Sequence, residues 1–94
     1  MRVRWLNKAL RNLDDEAAYV AVEDPAAARL VVERVLRAVS MLVDQPGLGR
    51  PGRVPGTREL VVLRTRYVVP YRVRGESVEI LRVFHTSRRP PQRW

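Results

Sequence analysis

Hydrophobic and polar positions change their period several times along this chain. Val3 and Trp5 alternate with Arg2 and Arg4, the two-residue repeat of a short strand. From Leu6 the period lengthens. Leu6, Leu10, Leu13, Ala17 and Val20 share one helical face, with Asp14, Asp15 and Glu16 on the others, which predicts a helix over about Asn7 to Val22. Asp24-Pro25 then restarts the chain: an Asp N-cap accepts orphan amides, and Pro is pre-set for the first helical position. In the second predicted helix Ala28, Val31, Val35, Val39 and Leu42 form the apolar stripe, widened by Val32, Leu36 and Val43. Arg29, Glu33 and Arg37 repeat at i, i+4 on the opposite side. Gln45-Pro46-Gly47 stops this helix near Asp44, and so short a link between the helices predicts a hairpin.

Residues 46–57 carry Pro and Gly throughout and read as loop. Three strands follow, Arg58 to Leu63, Tyr67 to Arg74 and Val78 to Phe84, the last two joined by the tight turn Arg74-Gly75-Glu76-Ser77. In the middle strand Val69, Tyr71 and Val73 alternate with Val68, Pro70 and Arg72. Pro70 has no amide to give, so a bulge or an unpaired position is expected there. Leu81 and Val83 make the last strand apolar on both sides, as for a strand inside a sheet. The order β-α-α-β-β-β predicts an α+β fold. We expect an antiparallel sheet with an N-terminal helical hairpin packed on one face. Residues 1–94 suit a single domain, with an extended Arg- and Pro-rich tail over 86–94.

Composition narrows the function classes. The chain has no cysteine, which removes disulfides, thiolate metal sites and cysteine nucleophiles and fits a reducing cytoplasm. No apolar segment follows the charged start, and stretches such as Ala38 to Val43 are far too short to span a membrane. The glycines at 47, 49, 52 and 56 lack the spacing of a phosphate-binding loop, and no residues have metal-ligand spacing. No cofactor is implied. The net charge is +8, and residues 45–94 supply all of it, with eleven arginines against Glu59, Glu76 and Glu79. Such a surface calls for an acidic partner, either nucleic acid or protein.

Several phrases carry a resemblance to the ParE/RelE toxins of type II toxin–antitoxin systems. They are Asn12-Leu13-Asp14 with Tyr19, Asp24-Pro25-Ala26-Ala27-Ala28, and the break from Leu42 through Pro46 to Gly49-Arg50. The second half is more specific. Arg53-Val54-Pro55-Gly56-Thr57-Arg58-Glu59-Leu60 is followed by Tyr67-Val68-Val69-Pro70-Tyr71-Arg72-Val73 and by Val78-Glu79-Ile80-Leu81-Arg82-Val83-Phe84-His85. RelE-like members cut messenger RNA on the ribosome with Lys and Arg on the middle strands and a C-terminal Arg and Tyr. The corresponding strand positions here read Glu59, Val61 and Val68, and no tyrosine follows Tyr71, so the chain resembles the ParE branch more closely.

What the resemblance implies is a cytoplasmic toxin that inhibits DNA gyrase. It would be neutralised by a cognate acidic, ParD-like antitoxin and reach operator DNA only through it. The alternative is a RelE-like endonuclease acting on ribosome and mRNA, with His85 and Arg88 as its proton-transfer and phosphate groups. As a structural residue, His85 would instead hydrogen-bond a neighbouring backbone group. For antitoxin binding the apolar stripe points to Val31, Val35 and Val39, taking a helix in a groove, with Arg53, Arg58 and Arg72 meeting its carboxylates. For target binding the tail offers Arg88, Arg89, Arg93 and Trp94, residue types that anchor interfaces. On this reading Trp94 has little of its own chain to pack on. Removing Ser87 to Trp94 should then abolish toxicity and leave the fold intact.

Overall fold

The computed structural model describes residues 1–88, 93 and 94. Strand β1 (Arg2–Trp5) leads directly into α1 (Asn7–Ala21), and α2 (Pro25–Ser40) completes the hairpin. Asp24 caps α2 as expected: its Oδ1 accepts the Ala27 amide at 3.1 Å, with Pro25 at the first position. The helical stretch predicted to Asp44 ends earlier, at Ser40, and Met41–Val43 tighten into one 3-10 turn. Beyond it come β2 (Arg50–Pro51), β3 (Arg58–Val61), β4 (Tyr67–Arg74), β5 (Ser77–Ile80) and β6 (Phe84–His85).

The strands form one sheet in the order β1-β5-β4-β3-β2, with β6 also on β4. Neighbours along the chain pair antiparallel, but β1 runs parallel to β5, Val3 opposite Val78. The sheet is therefore mixed, which corrects the all-antiparallel expectation. β1 and β5 are separated by the helical hairpin and strands β2 to β4, and so long a connection lets them run in the same direction. The strand predicted over Val78 to Phe84 is broken in two. Tyr71 pairs with Ile80 and Val68 with Phe84, so three residues on one strand face two on the other. The Leu81 amide still donates to the Pro70 carbonyl at 2.9 Å. Pro70 thus sits at a bulge, turned toward the place where the ladder lapses.

The hairpin covers one sheet face. Leu13, Val35, Val39 and Leu42 meet Leu60, Val69, Tyr71, Val78 and Ile80 in the core, with Val3 and Trp5 at its margin. Tyr71 is fully buried, and its hydroxyl donates to the Pro46 carbonyl at 2.7 Å while accepting the Gly49 amide at 2.8 Å. This pins the loop after α2 to the sheet centre. A Cβ at Gly49 would lie 2.7 Å from the Tyr71 ring, so the approach requires glycine there. The opposite face is divided. Residues 53–57 and Trp94 lie over its β3–β6 end, whereas the β1–β5–β4 end is open and carries arginines.

Candidate functional site

A groove runs between the C-terminal half of α2 and the outer edge of β3. It encloses about 500 Å³, and its lining includes Ala38, Met41, Leu48 and Leu63 with Arg34 and Arg37 at the rim. Met41, Leu48 and Leu63 are 48 %, 43 % and 79 % exposed, an unusual outlay of apolar surface for a chain of this size. β2 pairs with β3 only opposite Arg58 and Glu59, so the β3 edge from Leu60 onward is open. Unpaired strand edges accept another strand. The groove therefore combines apolar walls, free backbone groups and positive charge.

A second arrangement gathers around Glu59, whose residue surface is 2 % exposed. Burial opposes its ionisation. Hydrogen bonds from the Arg53 guanidinium and amide, with help from Arg50, outweigh burial and hold the carboxyl below its usual range. Hydrogen bonding to Glu59 likewise pushes Arg53 upward, against its own desolvation. The Arg53 guanidinium also lies over the rings of Phe84 and Trp94, at 5.1 and 5.9 Å. Those rings stack at 5.6 Å, the Trp94 indole N–H donates to Thr57 Oγ1 at 3.3 Å, and Lys8 Nζ donates to the Trp94 carbonyl at 2.9 Å. The end of the chain is thereby clasped onto the sheet.

A third arrangement is a notch of about 160 Å³ where α1 meets β6, lined by Asn12, Glu16, Arg82, His85 and Arg88. Glu16 accepts from the Tyr67 hydroxyl at 3.0 Å and forms an ion pair with Arg88, whose guanidinium lies 5.3 Å over the Tyr19 ring. Burial and then Glu16 push the Tyr67 phenol up to about 12, so it remains a donor. His85 meets Tyr67 edge-on at 5.2 Å, and its Nδ1 accepts the Ser87 amide at 3.1 Å. In the neutral ring this leaves the proton on Nε2.

The profile of the family described as the ParE toxin of the type II toxin–antitoxin system parDE matches residues 3–90. The chain belongs to the ParE toxin family. It is 47 % identical over 91 residues to the candidate toxin Y4kP of Sinorhizobium fredii strain NGR234, covering 97 % of this chain and 94 % of that one. Among solved structures it matches a chain of the chromosomal ParDE toxin–antitoxin system from P. aeruginosa at a TM-score of 0.80. The two are 35 % identical, and the match covers 90 % of this chain and 95 % of that one. A chain of the toxin–antitoxin complex RelBE2 from Mycobacterium tuberculosis is 30 % identical at a TM-score of 0.60, over 89 % and 88 % of the two chains. The nearer likeness in fold thus falls on the ParE side of the resemblance.

The six residues expected to meet an antitoxin do not form one surface on this ParE-family fold. Val35 and Val39 are 0 % and 2 % exposed and face the sheet, and Val31 is partly buried beside them. The breadth of the α2 stripe reflects core packing, and these valines offer no groove in the isolated chain. Arg53 is spent on Glu59 and Arg72 on Glu79, while Arg58 donates to the Gly49 carbonyl at 2.8 Å. Arg72 pairs with Glu79 across the β4–β5 ladder, and Glu59 turns to Arg53 and Arg50. Arg34, Arg37 and Met41, which do line the groove, were passed over. Their signal was present: basic and apolar residues three and four apart on the flank of the helix.

The tail residues are placed unevenly. Arg88 is held by Glu16, Arg93 is exposed and Arg89 lies outside the described residues. Trp94, expected to lack a partner, packs on Phe84 and Arg53. His85 makes the backbone hydrogen bond of its structural reading. Among the described residues no helix is long and apolar enough to cross a membrane.

Proposed function

We propose that this ParE-family chain is a cytoplasmic toxin that acts by binding a protein target, DNA gyrase, and is neutralised by a cognate acidic antitoxin seated in the α2–β3 groove. The groove carries this reading. Its exposed apolar wall suits a partner side chain, and the arginines on its rim suit the carboxylates of an acidic segment. The open β3 edge adds backbone donors and acceptors that an extended segment can pair. The ParDE and RelBE2 structures are of toxin–antitoxin systems, which supports an antitoxin partner for this chain as well. Gyrase as target rests on the ParE branch, with Arg88, Arg89, Arg93 and Trp94 of the tail as its contacts.

The RelE-type reading has one observation in its favour: His85, Arg88 and Glu16 converge on a single notch. Against it, Glu16 is committed to Tyr67 and Arg88, and His85 Nδ1 to the Ser87 amide. A general acid–base pair needs free proton-transfer groups within reach of substrate.

Calorimetric titration with the acidic protein encoded beside the toxin tests the antitoxin seat. Met41→Asp should weaken binding by on the order of 2–4 kcal/mol, because complex formation then buries an unpaired charge. Arg37→Glu should slow association, most at low salt. Both residues are exposed, so the fold survives either change. Val35→Asp, by contrast, should fail to fold. Unchanged affinity for folded Met41→Asp and Arg37→Glu would remove the groove from the account.

A further inference from the structure

The open end of the sheet carries two files of arginine. On β1 they are Arg2 and Arg4, and on β4 they are Arg74 and Arg72, with β5 between. The registers place them in two rows, Arg4–Glu79–Arg72 and Arg2–Ser77–Arg74. Glu79 is 5 % exposed and takes Arg72 Nε at 2.6 Å, Arg4 at 3.7 Å and Arg74 at 4.0 Å. One carboxylate thus orders three guanidinium groups and neutralises only one. Side-chain exposures of 70 % for Arg4 and 68 % for Arg74 leave most of their donors outward.

We propose that this face binds the phosphodiester backbone of duplex DNA directly, without reading sequence. Adjacent strands are about 4.8 Å apart, so the two files stand about 10 Å apart. That is the scale of the grooves of a duplex, about 6–12 Å, and lets each file meet a different strand's phosphates. Guanidinium forks suit phosphate oxygens, and holding them in place beforehand lowers the entropy lost on binding. Between the files stand Ser77 and Glu79, and Trp94, in the cavity beside Arg72 and Arg74, is already stacked on Phe84, which disfavours a single strand, whose unstacked bases need free ring faces. Such contacts depart from the expectation that the toxin reaches DNA only through its antitoxin, and they are independent of what the tail binds.

Fluorescence anisotropy with a labelled 20-mer duplex of arbitrary sequence, across a salt series, tests the site on the whole chain. With Arg72 held by Glu79, phosphate contacts from Arg2, Arg4 and Arg74 give a slope of log affinity against log salt of about −2.7. Arg2→Ala/Arg74→Ala should cut that slope to about −0.9 and weaken binding on the order of 10–100-fold at about 0.1 M salt. Arg11→Ala/Arg29→Ala removes the same charge from exposed helical positions and should leave the slope near its original value. Circular dichroism confirms that both variants are folded. Equal losses in the two variants would mean that net charge alone is sensed, and would overturn the site. So would wild-type chain that prefers polyglutamate to the duplex and loses only the polyglutamate in Arg2→Ala/Arg74→Ala.

Discussion

Glu59 sets burial directly against charge. A carboxylate in this position is stable only because Arg53 grips it with two guanidinium nitrogens and its amide and Arg50 adds a fourth donor. Arg53→Ala leaves the buried acceptor short of partners and should cost about 1–3 kcal/mol in denaturant unfolding. Glu59 and Glu79 both titrate below their unfolded value in the folded chain. Folding therefore favours their ionised forms. Their contribution is complete above the unfolded carboxyl range, near about 4.3, and is lost as pH falls through the lower folded values. The thermal midpoint should drop on acidification below about pH 4.3. Glu59→Gln, which keeps the shape and removes the titration, should lower the midpoint at neutral pH and flatten this acid limb. An acid limb of unchanged steepness in Glu59→Gln would contradict the assignment.

At the scale of elements, the clasp of Trp94 is the feature that most alters the reading of the tail. Stacked rings contribute about 1 kcal/mol beyond the area they bury. Trp94→Ala also removes that area and the indole hydrogen bond, so it should lower unfolding stability by more than that amount, and a midpoint equal to wild type would argue against docking. The truncation at Ser87 would also uncover Phe84, so loss of toxicity on truncation would not by itself separate target contact from fold. Arg93→Ala, which changes an exposed side chain, separates them better. The docking was not legible because it joins Trp94 to residues 10 and 37 positions earlier across a proline-rich segment, and neither period nor local turn chemistry reports such contacts. Local features were legible. The span of α1, the Asp24 cap and the ends of β4 rest on neighbours in sequence, and Pro70 announced the bulge through its missing amide. β2 was hidden inside a Pro- and Gly-rich stretch because two residues carry no period. The parallel β1–β5 pairing is set by the path of the hairpin, which hydropathy does not encode.

For the whole molecule, the charge excess of residues 45–94 resolves into separate uses. Arg50 and Arg53 neutralise Glu59, Arg72 neutralises Glu79, Arg88 holds Glu16, and Arg58 donates to the Gly49 carbonyl. Sequence reasoning drew the antitoxin seat on the valine stripe, which packs in the core, because such a stripe serves a core and a groove equally well until the sheet is in place. The ParE membership and the groove together support the proposal that this toxin works by contact between proteins. The most direct test adds the purified chain to gyrase with supercoiled plasmid and, in parallel, to ribosomes programmed with a defined message. Gyrase should accumulate cleaved DNA, the acidic antitoxin should prevent it, and the message should remain whole. Codon-positioned cuts in the message that vanish in His85→Ala, with gyrase unaffected, would contradict the account.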